Sequence, residues 1–350
     1  MSRRSTTLRA AALAALLLLA IGATPVLACG GLIGPNGAVN LLRTTTQAGY
    51  HDGEEHYVTA FQFAGGGGAF GSLTPLPGVP SKVEKGGDWT LQRLILETEP
   101  PVPQTALFAA GGESARDEAE VLMEVRIDAL DVTVLRGGAD EVGRWAKDNG
   151  FRLPPDSPEV LEFYAERSPI FLAAVFDADA AAERGQAVGD GTPVHVTIPT
   201  DNPWVPLRIL ALGKTGEERV EADVYLLNDQ RPALLPAPTG DNGLTLLNDE
   251  PASESLLADL QSDQGMGWVP NSAWLTKVRI DASASQLAFD LAIDATGRGA
   301  PSYVDAGLVV PTPGLTSNEA LRLILGLGMI VLGVGGLLLL VRWRPSSVAA

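Results

Sequence analysis

The amino-acid sequence predicts an α+β fold, made mainly of antiparallel sheets with a few short helices and followed by one C-terminal transmembrane helix. Apolar and polar residues alternate in several short runs, which is the period expected of strands. Runs with helical spacing are fewer, and long helical crossovers are rare, which argues against a doubly wound parallel sheet. The exception is the uncharged stretch from Leu323 to Val341. At the helical rise it spans roughly 28 Å, the thickness of a bilayer's hydrocarbon core.

Residues 1–28 have the features of a secretory signal peptide. Arginines precede an apolar run from Ala10 to Ala23, and small or apolar residues lie just before Cys29, so we expect cleavage there. The segment Val26–Gly30 is similar to the lipobox of bacterial lipoproteins, in which Cys29 would become the acylated first residue. Ordinary cleavage, with Cys29 as an unmodified mature N-terminus, is the alternative. Cys29 is the only cysteine, which excludes an intrachain disulfide.

The clearest folding unit is a β-α-α-β arrangement between Asp131 and Phe176. A strand at Val132–Leu135 is followed by two helices, with predicted caps at Asp140 and Ser157. The apolar run from Ile170 to Phe176 then predicts a strand that is covered on both faces. The predicted buried stripes of the two helices are Val142, Trp145 and Ala146, and Val160, Leu161 and Tyr164.

Further strands and one more helix are predicted outside this unit. Ser253 is expected to cap a short helix that buries Leu256, Leu257 and Leu260. A proline-rich passage leads into a turn at Gly240–Gly243, so residues 232–243 are the best candidate for a boundary within the extracytoplasmic domain. The period-two runs that predict strands are Tyr57–Phe63, Val194–Ile198, Val220–Leu226 and Leu287–Asp294.

The basic and aromatic flank Arg342–Arg344 predicts that the C-terminus faces the cytoplasm and that the preceding domain lies outside it. The expected location is therefore the cell membrane, in single-pass topology. Small residues recur at a spacing of seven on related faces of the helix, which leaves weak self-association open: Gly326 and Gly333, Gly328 and Gly335. The predicted segments are a domain over 29–296, a stalk over 297–318, the helix and its flank over 319–344, and a tail over 345–350.

The formal net charge of −17 limits the classes of partner. Six arginines lie in the leader or beside the final helix, so the part between them is more acidic still. Such a surface repels phosphate backbones, and nucleic acid is excluded as a partner. The six are Arg3, Arg4, Arg9, Arg322, Arg342 and Arg344.

The sequence contains no assembled catalytic, cofactor-binding or metal-binding motif. His51 and His56 flank Asp52–Gly53, and a solvated hairpin turn explains them better than a zinc site. His195 lies between two valines of a strand, so it is expected to face solvent or a second layer. No Gly-x-Ser-x-Gly elbow is present. We therefore predict no catalytic residue, no metal ligand and no cofactor.

Short segments in a fixed order resemble the bacterial extracytoplasmic family known as domain of unknown function 2330. The resemblance covers most of the chain from Cys29 to about Asp294, and it implies secretion and membrane association without any catalytic residues to carry over. The matching segments are Ala28–Gly31, Thr74–Pro80, Asp131–Leu135, Arg144–Pro154, Val205–Arg208 and Trp274–Lys277.

Anchoring, acidity and the absence of a motif together predict a non-catalytic binding or interaction module of the bacterial cell envelope. Its expected partners are the membrane and an envelope protein or polymer. The alternative is an envelope hydrolase whose site is assembled only in three dimensions. The two differ in one respect, because an enzyme should have a concave pocket with several titratable groups of perturbed pKa.

Overall fold

The computed structural model describes residues 31–34, 37–38, 44–62, 70–98, 121–177, 180, 183, 191–295 and 301–308. Within these ranges no helix is long and apolar enough to cross a membrane. The predicted leader, Cys29 and the stretch Leu323–Val341 lie outside the described residues, so they stay predictions.

The described part of the chain is α+β, as predicted, with short helices and mainly antiparallel strands. The helices are α1 (Thr90–Thr98), α2 (Ala139–Asp148), α3 (Ser157–Ala165) and α4 (Glu254–Ser262). The strands are β1 (Gly31–Gly34), β2 (Gly37–Ala38), β3 (Thr44–His51), β4 (Glu54–Gln62), β5 (Phe70–Pro75), β6 (Lys82–Lys85), β7 (Val121–Ile127), β8 (Leu130–Arg136), β9 (Ile170–Phe176), β10 (Gly191–Pro199), β11 (Trp204–Val205), β12 (Arg219–Asn228), β13 (Ala233–Leu235), β14 (Leu244–Pro251), β15 (Trp274–Ser283) and β16 (Leu291–Asp294).

The strands form three sheets. A six-stranded sheet has the order β2-β1-β5-β9-β8-β7, and each neighbouring pair in it is antiparallel. A seven-stranded sheet has the order β14-β15-β12-β3-β4-β10-β6, with β12 and β3 parallel and the other neighbours antiparallel. A small sheet, β11-β16-β13, is antiparallel. The six-stranded and seven-stranded sheets therefore contain most of the described strands.

The central strands of the seven-stranded sheet are buried on both faces. One face belongs to the main core, which it shares with the six-stranded sheet and with α2 and α3. Helices α1 and α4 pack on the opposite face and form a second core there. The alternation along β12 shows this division, since Val224 and Leu226 belong to the main core and Tyr225 and Leu227 to the second. The middle of β4 is covered on both sides, so its polar residues Glu55, His56 and Thr59 are buried.

The β-α-α-β unit is confirmed, and the predicted stripes of α2 and α3 are buried. The two predicted caps are wrong. Helix α2 starts after Gly138, whose N–H donates to the Glu141 carboxylate at 3.0 Å, so Asp140 lies in the first turn. Helix α3 starts after Asp156. The Ser157 side chain is buried in the interior and does not cap the helix.

The C-terminal end of α2 is formed by a glycine followed by an aromatic residue, Gly150 and Phe151. Gly150 has the left-handed φ of 75° that a residue without Cβ adopts readily. The N–H of Phe151 then donates to Ala146 O at 2.7 Å, and that of Gly150 to Lys147 O at 3.0 Å. This is the Schellman arrangement, and the Phe151 ring lies 5.9 Å from that of Trp145.

The predicted strand Leu287–Asp294 is wrong over its first half, because only Leu291–Asp294 is a strand. Asp290 alternates with the apolar residues of the predicted run, yet it is fully buried. The irregular backbone before β16 aims its carboxylate into the core. There Oδ1 accepts the Tyr164 hydroxyl at 2.9 Å and the Leu207 N–H at 2.7 Å.

The second carboxylate oxygen of Asp290 accepts a 2.6 Å hydrogen bond from the guanidinium of Arg167. Burial raises the pKa of Asp290, and the charge of Arg167 opposes that rise. Arg167 also donates to the carbonyl of Asp305, and Ala306 is fully buried. Part of the predicted stalk, residues 301–308, is therefore folded against the domain.

Glu55 lies in the main core, on the face of β4 opposite to His56. It is fully buried, and burial raises its pKa to about 8. The N–H of Trp204 lies near the Glu55 carboxylate and partly offsets the increase in its pKa, although the two groups do not form a well-aligned hydrogen bond. At neutral pH Glu55 is therefore mostly a neutral acid.

Candidate functional site

His56 and His195 lie side by side on the face of the seven-stranded sheet that carries α1 and α4. In the register of β4 and β10, His56 is opposite Thr197, so the two histidines are diagonal neighbours. His56 Nδ1 and His195 Nε2 are 3.1 Å apart, which is a hydrogen bond between two imidazoles. Both side chains are buried.

The expectation that His56 lies in a solvated turn is wrong. The predicted turn is present, with left-handed φ values of 51° at Asp52 and 85° at Gly53, but β4 begins directly after it. His51 stays at the partly exposed turn, where its Nδ1 is 2.7 Å from Asp229 Oδ1. Of the two alternatives for His195, the second layer is the one observed.

Trp268 covers His56 from the segment that follows α4. The two ring centroids are 4.0 Å apart, and the ring planes differ by 1°. The indole reaches this position by crossing Gly49 of β3, which pairs with His56. A Cβ at Gly49 would lie 2.2 Å from the indole Cη2, so the stack depends on a glycine there.

The segment that carries Trp268 is tied to α1 by Asp263. The Asp263 carboxylate accepts the N–H groups of Asp88 and Trp89 at 3.2 and 3.1 Å and the Thr90 hydroxyl at 2.7 Å. These donors lie at the start of α1, where unsatisfied N–H groups and the helix dipole favour an anion. Asp263 therefore caps α1 from another part of the chain and fixes the start of the Trp268 segment.

An open cleft of about 530 Å³ lies beside the two histidines. Glu54, Ser81, Lys82 and Glu84 line it together with the rings, and the Lys82 ammonium pairs with Glu84 Oε1 at 2.8 Å. Gly265 and Gly267 form its backbone wall. The cleft thus combines an aromatic surface with charged side chains.

Two buried polar atoms at the cleft make no well-formed hydrogen bond within the described part of the chain: His195 Nδ1 and Trp268 Nε1. The nearest acceptor to His195 Nδ1 is Glu84 Oε1, at 3.4 Å but poorly aligned. A buried polar atom without a partner is costly to a fold. Both atoms are enclosed by the residues around them, so this cost lies within the wall of the cleft.

Burial holds both histidines neutral. Desolvation lowers the pKa of His56 to about 3, and the neighbouring His195 and the more distant His51 add to the effect. Desolvation also lowers the pKa of His195 to about 4, with Glu84 opposing the change and Lys82 supporting it. At neutral pH the pair therefore donates and accepts hydrogen bonds but carries no charge.

The arrangement does not match the metal or nucleophile sites considered from the sequence. No cluster of three or more His, Cys, Asp or Glu that could hold a metal occurs within the described ranges. The hydroxyl of Ser81 donates to the Thr197 carbonyl at 3.3 Å and to Glu54 at 3.5 Å, so it is not held by an imidazole. The residues that line the cleft offer hydrogen bonding, charge and aromatic contact.

The profile of one protein family, described as "uncharacterized protein conserved in bacteria" and known as domain of unknown function 2330, matches residues 26–294. The match confirms the resemblance found in the sequence. No curated protein matches the chain.

Three solved structures of baculovirus P35 align with the chain at a TM-score of 0.37, a value too low to establish a common fold. A mutated P35 after caspase cleavage shares 10% identity over 72% of this chain and 99% of that chain. P35 in complex with caspase-8 shares 10% identity, and P35 itself shares 12%, each over 72% of this chain and 96% of that chain.

Replacing Gly49 with Ala should displace Trp268, because the added Cβ overlaps the indole. The near-ultraviolet circular dichroism and the fluorescence assigned to Trp268 should change. The matched control is Gly267→Ala in the same cleft, where nothing lies within 4 Å of the new Cβ. If Gly49→Ala leaves both signals unchanged, the stack described above is incorrect.

The histidine pair should make stability depend on pH. Both pKa values are lower in the folded chain than the unperturbed value near 6.5, so the unfolded chain binds protons first as the pH drops. The pair's contribution to the free energy of unfolding is therefore present above about pH 6.5 and is lost as the pH falls toward 4. Urea unfolding at pH 7 and pH 5 measures the loss.

Glu55 contributes with the opposite sign, since its raised pKa lowers stability as the pH rises toward 8. The control is therefore the double variant His56→Gln, His195→Gln, which keeps Glu55 and removes the pair. Between pH 7 and pH 5 the natural chain should lose about 1 kcal/mol or more relative to this variant. Equal losses would show that the histidines are not held neutral.

Proposed function

The chain belongs to the family known as domain of unknown function 2330, and we propose that it is a membrane-anchored extracytoplasmic binding protein of the bacterial envelope. Its ligand site is the cleft beside His56, His195 and Trp268. The observation that carries the proposal is the cleft itself, a concavity of about 530 Å³ in which an aromatic wall meets the charged side chains of Glu54, Lys82 and Glu84.

The anchoring part of the proposal rests on the sequence. The leader over residues 1–28 directs the chain across the membrane, and the stretch Leu323–Val341 is long enough to hold it there. Arg342 and Arg344 favour a C-terminus in the cytoplasm. Acylation of Cys29 would add a second anchor to the same domain.

The cleft is better suited to binding than to acid–base catalysis. A general base works best when its pKa lies near the operating pH. The pKa values of His56 and His195, about 3 and 4, make both groups weak bases at neutral pH. As neutral rings they keep directional hydrogen bonds without the desolvation cost of a buried charge.

One observation favours the alternative of an envelope hydrolase. Glu84 Oε1 lies 3.4 Å from His195 Nδ1, and His195 Nε2 lies 3.1 Å from His56 Nδ1. In this arrangement a carboxylate orients a histidine, as in a catalytic triad. The alternative lacks an activated nucleophile within the described residues, since Ser81 donates to a carbonyl and to Glu54. We therefore place it second.

The proposed topology is testable by proteolysis. Protease added to intact cells or spheroplasts should digest the domain before residue 309 and spare a tag placed after Ala350. Permeabilised cells, in which the tag is also cleaved, are the control. A protected domain in spheroplasts would contradict the topology.

The binding function is testable with the full-length chain in a mild detergent. A panel of sugars, amino acids, amines and short peptides is screened by NMR for shifts of the His56 and His195 ring signals. Binding at the cleft should move these signals and should weaken in Trp268→Ala, while Trp89→Ala leaves it unchanged. The same panel is assayed for turnover, and hydrolysis that is abolished in His195→Asn would favour the hydrolase instead.

A further inference from the structure

We propose that the Trp268 indole is a lid over His56 and His195, which closes one side of the cleft and swings outward to expose the two imidazoles. The inference rests on the proposed function for its purpose, since it says how a ligand in the cleft would reach the histidine pair. The movement itself belongs to the chain alone and can be measured without a ligand.

The closed lid keeps a hydrogen-bond donor away from water. Trp268 Nε1 can only donate, it is buried, and it makes no well-formed hydrogen bond within the described part of the chain. A donor that gives up water without gaining a partner makes the closed state less favourable. Once the indole swings outward, Nε1 regains a partner in the solvent. The closed position therefore carries a cost that opening removes.

Contacts between rings stabilise the closed position. The indole stacks on His56 with 4.0 Å between the ring centroids, while the centroid of His195 lies 6.4 Å away and its ring is tilted by 31°. The free energy of a ring stack is of the same order as that of one lost hydrogen bond. The unpaired Nε1 therefore offsets much of what the stack contributes, which brings the closed and open states closer in free energy.

The indole is seated on bare backbone. A Cβ at Gly49 would lie 2.2 Å from the indole Cη2, so the ring rests where a side chain is missing. Trp268 also lines the open cleft, whose volume of about 530 Å³ exceeds that of an indole ring. The ring can therefore leave Gly49 without displacing a side chain at that position, and the cleft offers room to receive it.

The backbone beside Trp268 is held at several points and free at one. Asp263 binds the start of α1, and the side chains of Met266 and Val269 are buried in the second core. Gly267 is exposed, and no described atom beyond its chain neighbours lies within 4 Å of the place that a Cβ would take. Hinges are a few such positions that absorb a change in the backbone dihedrals. We therefore place the movement at Gly267 and in the Trp268 side chain.

The lid determines when the histidine pair can be contacted. With the lid closed, His56 and His195 are buried and hydrogen-bond to each other. With the lid open, the face of His56 that carries the indole becomes accessible from the cleft, and a ligand can take the place of the indole on it. The outer cleft with its charged side chains is open in both states.

Hydrogen exchange of indole N–H groups tests the lid on the full-length chain in a mild detergent, with ¹H–¹⁵N NMR as the measurement. Trp204 is the matched indole, because it is 2% exposed and lies in the main core, where unfolding of that core is needed to expose it. The Trp268 N–H should exchange at least about a hundredfold faster than that of Trp204, because local opening costs less than unfolding. A low urea concentration should accelerate exchange at Trp204 only, since opening the lid exposes little surface.

Three variants separate opening of a lid from a general loss of stability. His56→Ala removes the stack and should raise the Trp268 exchange rate about threefold or more, whereas His51→Ala, at the partly exposed turn, should leave it unchanged. Val224→Ala weakens the main core, so it should raise the exchange rate of Trp204 and leave that of Trp268 unchanged.

Four results would overturn the inference: equal exchange rates at the two indoles, a Trp268 N–H with no protection at all, a Trp268 rate that rises together with that of Trp204 in Val224→Ala, or a Trp268 rate unaffected by His56→Ala. If the lid fails but a member of the ligand panel shifts the His56 and His195 signals, the proposed function stands. If the lid opens as described and no member shifts them, the proposed function falls and the lid remains.

Discussion

The buried carboxylate of Asp290 holds together the parts of the main core that are far apart in sequence. It accepts hydrogen bonds from helix α3 through Tyr164, from the segment after β11 through Leu207 and Arg208, and from Arg167. A buried charge is tolerated only when its lone pairs are occupied and an opposite charge is near, and both conditions are met here. The same Arg167 holds the segment around Asp305. Removing one partner would leave a charge in the core, so these elements must assemble as a set.

The sequence predicted local structure well where the determinants are local. The Ser253 cap of α4 and the buried stripes of α2 and α3 depend on residues within one or two turns, and all are present. Strand β15 was missed because two of its polar residues, Thr276 and Lys277, are buried by distant elements and break the expected alternation. Asp290 was misplaced for the same reason, since its partners come from residues 164–208.

The candidate site shows the same division. The alternation along β10 predicted that His195 points away from the face of its valines, and the structure places a second layer there. Nothing local indicates that His56 is its neighbour, because strand register between residues 56 and 195 is a tertiary property. Gly49 and Trp268 are separated by more than two hundred residues, and a glycine in a strand has several explanations. The two histidines thus lie on two neighbouring strands of one sheet, and a segment that Asp263 ties to α1 covers them.

The parallel pairing of β3 with β12 has a consequence for the way the chain is made. Tyr50 donates its N–H to Asn228, 178 residues later, and β3 lies between β12 and β4 in the finished sheet. Synthesis proceeds from the N-terminus, so β3 and β4 can form their hairpin early. The other edge of β3 stays unpaired until β12 has been synthesised. An unpaired edge of this kind is open to association with other chains. Until β12 has been synthesised, the outer edge of β3 is therefore open to pairing with another chain.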